Sequence, residues 1–134
     1  MGNHCILSNN GTLGGHVVLG DHVVIGGLAA VHQFCRIGDH ALVGGCTKVV
    51  QDVPPFIIAD GNPAVPRSIN LVGLQRRGFA ETTIRTLRHA FKTIYHTGKN
   101  TSQALADLEP LAPTCPEIAT LIAFIRASER GIVR

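Results

Sequence analysis

A six-residue rhythm runs through residues 1–54 and limits the folds that this chain can adopt. When the sequence is divided into hexads from Met1, the first position of every hexad is apolar. Chance would give this pattern roughly once in a thousand for a chain that is 45% apolar. The first-position residues are Met1, Leu7, Leu13, Leu19, Ile25, Val31, Ile37, Val43 and Val49. Glycine is common at the second position, and most fifth positions are small.

A period of six matches no single face of an α-helix, but it fits a coil with three flat sides and about 18 residues per turn. We therefore predict a parallel β-helix of about three coils over residues 1–54, with the first-position aliphatics stacked inside. Asn, Asp or Gly at the third position predicts left-handed backbone there. The predicted domains are a partial β-helix over 1–54, a turn-rich exit over 55–68 and a helical domain over 69–134.

Amphipathic periodicity predicts helices after the exit. The predicted spans are Ile69–Arg77, Glu81–His96, Ser102–Leu108 and a last helix that ends near Ser128. Thr114 and Glu117 have the spacing of a capping box, so we expect them to begin the last helix.

Composition narrows the class of protein. The net charge of +3 argues for neither nucleic acid nor a membrane as a partner. We expect no signal peptide and no integral membrane segment, because no apolar run is long enough. The four cysteines lack the spacing of a metal site, which favours reduced thiols. We expect neither a metal nor a cofactor.

Several polar residues are candidates for chemistry. His16 and His32 lie on the same predicted side of adjacent coils, where they could be functional neighbours or merely exposed. His4, His22 and His40 occupy the same place in successive predicted coils and should stack. Coils about 4.8 Å apart would keep these three from sharing one zinc with bonds of about 2.1 Å, so we favour a solvated ladder.

Arg76 and Arg77 end the first predicted helix, and Asn70 lies near its start. Guanidinium groups match phosphate oxygens, which favours an anion site. Cations also suit the C-terminus of a helix, so a purely structural role stays open.

The strings AVHQFCRIG and GLQRRGF, together with LGGHVVLGDHVVIGG and QDVPPFIIADGNPA, resemble the acyl-ACP:UDP-N-acetylglucosamine O-acyltransferase family. The resemblance covers essentially the whole chain. It implies a left-handed β-helix that forms a cytoplasmic homotrimer in a Gram-negative-type bacterium. It also implies transfer of a 3-hydroxyacyl group from acyl carrier protein to the 3-hydroxyl of UDP-N-acetylglucosamine, the first step of lipid A biosynthesis.

The resemblance assigns roles to eight residues. It implies that the backbone N–H of Gly15 stabilises the oxyanion. It implies that a small residue at Gly45 leaves room for a longer acyl chain. The residues implied to bind the substrate are His16, His32, Gln33, Asn70, Arg76 and Arg77.

The family's general base lies in an HxxH segment upstream of the residue that matches Met1. We therefore expect a truncated chain that lacks this base, so its activity alone is doubtful. Two other interpretations stay open. One is a non-catalytic fragment that binds a nucleotide sugar or forms trimers, and the other is a zinc hexapeptide enzyme of the carbonic anhydrase type.

Overall fold

The computed structural model of the chain describes residues 2–134, and its first half is a left-handed parallel β-helix of about three coils. Each side of a coil carries a two-residue strand, and strands three apart along the chain pair in parallel. Ile6 lies opposite Val24, and Val24 lies opposite Leu42, which confirms that three hexads make one coil. The strands are β1 (Ile6–Leu7), β2 (Thr12–Leu13), β3 (Val18–Leu19), β4 (Val24–Ile25), β5 (Ala30–Val31), β6 (Arg36–Ile37), β7 (Leu42–Val43) and β8 (Lys48–Val49).

The first-position aliphatics form the interior of the β-helix, as predicted. From Leu19 to Val49 each of them is at most 3% exposed. In the first coil Leu13 is half-buried and Leu7 is 38% exposed. Met1 lies outside the described residues. Small fifth-position residues such as Ala29 and Ala41 are also buried, so the two positions together fill the core.

Left-handed backbone occurs at the fourth hexad position, so the prediction of the third position was wrong. Residues with φ between 57° and 67° are His4, Asn10, His16, His22, Leu28, Phe34, His40 and Cys46. The third position has another role. Asp21 accepts a hydrogen bond from the backbone N–H of Asn3 at 2.8 Å, and Asp39 accepts one from that of Asp21 at 2.7 Å. These two side chains satisfy N–H groups of the neighbouring coil, which explains the Asp residues at positions 21 and 39.

The coil shortens after residue 49. Ile37 pairs with Val53, and Leu42 lies opposite Ile58, so paired residues are closer in sequence here than in the preceding coils. Strand β9 (Ile57–Asp60) continues the sheet formed by β1, β4 and β7, and β10 (Val65–Ile69) pairs antiparallel with β9. This sheet therefore extends beyond residue 54, and the division of the chain into domains stays a prediction.

Helices make up most of the second half. They are α1 (Leu71–Arg76), α2 (Glu81–Tyr95), α3 (Thr101–Leu108) and α4 (Pro116–Ala127), with a 3-10 turn at Glu109–Leu111. The predicted capping box at Thr114 was wrong. Cys115 is the N-cap of α4 without a capping side-chain bond, and the Thr114 hydroxyl donates back to Leu111. A reciprocal capping box instead joins Asn100 and Gln103 at the start of α3.

The helices share one apolar core with the last coil. The stripe of α2 is buried against α3, α4 and β10. Asp52, only 1% exposed, links the last coil to the C-terminal segment, because its carboxylate accepts from the Ser128 hydroxyl at 2.6 Å and from the backbone N–H of Arg36 at 2.8 Å. None of the helices in the described residues is long and apolar enough to cross a membrane.

Candidate functional site

The start of helix α1 is fixed to the β-helix by Asn70. This side chain is 5% exposed, donates from Nδ2 to the carbonyl of His40 at 2.9 Å, and accepts at Oδ1 from the backbone N–H of Gly73 at 3.3 Å. Its own backbone N–H donates to Phe56 at 2.8 Å. A Cβ at position 73 would lie 2.5 Å from Asn70 Nδ2, so the close approach requires Gly73. A six-residue helix is too short to be stable alone, and these contacts therefore determine its position.

The end of α1 is fixed by Phe79. Gly78 has a φ of +78° and turns the chain back, after which the Phe79 ring contacts the edge of His40 with 4.9 Å between ring centroids. Phe79 also packs against Phe56, with 6.1 Å between centroids. Both ends of α1 are thus anchored on the same part of the β-helix, which sets the place of Arg76 and Arg77 between them.

An open groove of about 290 Å³ lies between α1 and the facing side of the β-helix. Its polar lining consists of His4, His22, His40, Asn70, Arg76 and Arg77. Both arginines are exposed, and within the part of the chain that the structure describes the lining contains no carboxylate. Two free guanidinium groups without an acidic partner suit an anionic ligand, above all one with phosphate oxygens.

The three histidines form a stack, which we call the histidine ladder (His4, His22 and His40). Successive ring centroids are 4.9 Å apart, with interplanar angles of 6° and 15°. Phe56 continues the stack beneath His40 at 6.0 Å. Burial lowers the pKa of His40, and the neighbouring His22 lowers it further. The sequence predicted the stack, but its position beside the arginines was not foreseen.

A second group of predicted residues lies elsewhere on the β-helix. Gly15, His16, His32 and Gln33 are all exposed. The His16 ring stacks on Phe34 at 5.0 Å, and Gly14 rather than His16 lies over the His32–Gln33 backbone. Nδ1 of His32 lies 3.4 Å from the carbonyl of Gln33. His16 and His32 are therefore on adjacent coils, as expected, but each has a different partner.

Gly15 and Gly45 are both accessible to a ligand. A Cβ at Gly15 would meet no atom within 4 Å, and the backbone N–H of Gly15 has no protein acceptor among residues 2–134. A Cβ at Gly45 would lie 3.3 Å from the carbonyl oxygen of Gly27, so a side chain there would start close to the surface of the coil. These placements fit the predicted roles of both glycines without testing them.

The structure thus brings three of the predicted site residues together and leaves five outside their groove. Asn70, Arg76 and Arg77 line one groove, whereas Gly15, His16, His32, Gln33 and Gly45 are not part of its lining. The assigned roles of all eight stay predictions. Sequence reasoning missed His4, His22 and His40 as lining residues, because only the docking of α1 brings the ladder next to the arginines.

The family model described as UDP N-acetylglucosamine O-acyltransferase, domain 2, matches residues 52–133, which is more than half of the chain. The chain belongs to this family. It is 48% identical over 134 residues to the acyl-(acyl-carrier-protein)–UDP-N-acetylglucosamine O-acyltransferase of Pseudomonas syringae, and all of the chain aligns with 52% of that relative. The namesake from Burkholderia lata is 47% identical over 138 residues, again with all of the chain and 53% of the relative.

Solved structures of the UDP-N-acetylglucosamine O-acyltransferase family share the fold. LpxA from Acinetobacter baumannii superposes with a TM-score of 0.93 at 42% identity, covering 98% of this chain and 51% of that one. The enzyme from Moraxella catarrhalis gives a TM-score of 0.94 at 39% identity, with coverage of 98% and 51%. The chain therefore spans about half the length of the relatives that it matches.

Proposed function

We propose that this chain forms the nucleotide-sugar-binding half of an enzyme that transfers a 3-hydroxyacyl group from acyl carrier protein to the 3-hydroxyl of UDP-N-acetylglucosamine. This reaction is the first step of lipid A biosynthesis. The observation that carries the proposal is the groove in which Arg76, Arg77 and Asn70 meet without a carboxylate. The proposal includes a cytoplasmic homotrimer and acyl carrier protein as the partner that delivers the acyl group.

In the proposed reaction the sugar 3-hydroxyl attacks the thioester carbonyl, and the sulfur of the carrier leaves. Negative charge develops on the carbonyl oxygen, where the backbone N–H of Gly15 would donate a hydrogen bond. Arg76 and Arg77 would hold the diphosphate, and His16, His32 and Gln33 would contact the sugar and its surroundings. The histidine that takes the proton belongs, in this proposal, to the part of the relatives that the chain does not span.

The test is the affinity of the full-length protein for UDP-N-acetylglucosamine, measured by calorimetric titration. Loss of a charge-assisted hydrogen bond costs about 1.5–3 kcal/mol, so Arg76→Ala and Arg77→Ala should each weaken binding about 10- to 150-fold. Arg85→Ala is the matched control, because Arg85 is an exposed arginine of α2 outside the groove. Unchanged affinity in both groove variants would reject the proposed phosphate contacts.

Acyl transfer is measured in parallel with a 3-hydroxyacyl thioester of acyl carrier protein as donor. Turnover by the wild-type full-length protein is the expected result. Binding of UDP-N-acetylglucosamine without any turnover would instead favour the non-catalytic interpretation.

A further inference from the structure

The histidine ladder forms one wall of the groove that faces Arg76 and Arg77. Because both faces of the His22 ring are covered by stacking at 4.9 Å, His22 can offer the groove only the edge of its imidazole. Ring edges carry the nitrogen atoms, so the ladder presents hydrogen-bonding groups beside the aliphatic side chains of Ile6, Val24 and Leu42. Neither the proposed function nor the family assignment gives these histidines a role.

The nearby carboxylates are already occupied. Asp21 and Asp39 precede His22 and His40, but both carboxylates turn toward the coil above and accept backbone N–H bonds at 2.8 and 2.7 Å. Arg76 and Arg77 contribute positive charge from α1. Among the described residues, the side chains facing the ladder across the groove are thus cationic or neutral.

The position of His22 indicates which of its ring nitrogens carries the proton. Nδ1 is buried and has no hydrogen-bond partner among the described residues. A buried N–H without an acceptor is costly, so the neutral ring places its proton on Nε2. Since His22 lines the groove, Nε2–H is the group that can donate to a ligand there.

We propose that the histidine ladder is a further part of the anion site, in which His22, supported by His4, donates N–H bonds to the diphosphate held by Arg76 and Arg77. This inference rests on the proposed function, because it takes the nucleoside diphosphate of that site as its ligand. His22 and the two arginines line the same open groove, so an anion held by the arginines can also meet the edge of the ladder.

Burial lowers the pKa of His40, and the adjacent His22 lowers it further, so this ring favours its neutral form. Asp21 and Asp39 oppose this shift in the pKa of His40, and Arg77 adds to it. A neutral imidazole still has one N–H, so the ladder can donate a hydrogen bond to an anion without carrying a charge itself.

The experiment measures the affinity of the full-length protein for UDP-N-acetylglucosamine by calorimetric titration, for the wild type and for variants of His22.

His22→Phe removes the donor while keeping a ring in the stack. The chain itself shows that this exchange fits, because Phe34 has the same left-handed backbone and stacks with His16 at 5.0 Å. His22→Asn is a second variant that retains an N–H donor, and Asn10 occupies the equivalent corner. His22→Phe should weaken binding roughly three- to tenfold, and His22→Asn should weaken it less. His89→Phe, at an exposed position of α2, is the control and should change nothing.

The outcomes separate the two proposals. If Arg77→Ala weakens binding but His22→Phe keeps the affinity of the wild type, the ladder proposal is overturned and the proposed function stands. Inorganic pyrophosphate is the second probe. If the protein binds pyrophosphate with the predicted dependence on His22 but does not bind UDP-N-acetylglucosamine, the anion site stands and the proposed function fails. Binding of neither probe overturns both.

Discussion

Replacing Asn70 tests whether this residue positions helix α1 or binds the substrate itself. Asn70→Ala removes two side-chain hydrogen bonds, the N-cap to Gly73 and the bond from Nδ2 to the carbonyl of His40. The cap contributes about 1 kcal/mol, and the second bond contributes about 1 kcal/mol net. Asn70→Ala should therefore destabilise the docked position of α1 by about 2 kcal/mol, which lowers the equilibrium constant for docking about 30-fold.

If the ligand binds only when α1 is docked, its affinity falls in proportion to the fraction of molecules in which α1 is docked. The affinity for UDP-N-acetylglucosamine can therefore fall by up to about 30-fold. Asn70→Ser is the matched variant. Serine is as good an N-cap as asparagine, but its shorter side chain gives up the bond to His40. We expect Asn70→Ser to destabilise the docked position of α1 by about 1 kcal/mol, which lowers the same equilibrium constant about fivefold.

Two measurements decide between the roles. Titration gives the affinity, and hydrogen exchange of the Leu74 and Arg77 amides, which bond to Asn70 and Gly73, reports the docking of α1. If Asn70 positions the helix, both variants should bind more weakly and exchange faster than the wild type. Both effects should be larger for Asn70→Ala than for Asn70→Ser. Loss of affinity comparable to that of Arg77→Ala, with unchanged exchange in both variants, would refute the positioning argument and favour direct contact with the ligand.

Two further predictions concern other parts of the chain. Gly45→Met should shift the preference of acyl transfer toward shorter donors by filling the space beside Gly27, and an equal loss with long and short donors would reject the acyl-length role of Gly45. Asp52→Ala should lower the free energy of unfolding by about 3 kcal/mol, because Ser128 and the backbone N–H of Arg36 lose a buried charged acceptor. Urea unfolding measures this loss. Asp52→Asn keeps an acceptor and should lower the free energy of unfolding by less, so equal effects of the two variants would contradict the explanation.

Much of the fold could be predicted because the hexad repeats the same physical demand in every coil. The inward aliphatics from Leu19 to Val49 all satisfy one requirement, burial inside a stack, and nine repetitions make the signal strong. Corner geometry was harder to assign. The Asp residues at the third position looked suited to left-handed backbone, but their carboxylates bond to the next coil, while histidine and phenylalanine adopt positive φ at the fourth.

The capping box shows the limit of a purely local pattern. Thr114 and Glu117 have the right spacing, yet the Thr114 hydroxyl donates to Leu111, and Cys115 begins the helix. The 3-10 turn that precedes α4 offers this hydroxyl a carbonyl nearby. No helical turn directly precedes Asn100, and there the same motif forms with Gln103.

The groove could not be predicted from spacing, because it depends on contacts between residues far apart in sequence. Contacts of Asn70 and Phe79 with His40 place α1 beside a ladder whose members come from three successive coils. The repeat fixes where each imidazole lies, but it does not show what faces it. In a solenoid, the function of an outward column is therefore set by the segment that docks on it, and the ladder faces a groove suited to an anion only because Phe79 and Asn70 hold two arginines opposite its edge.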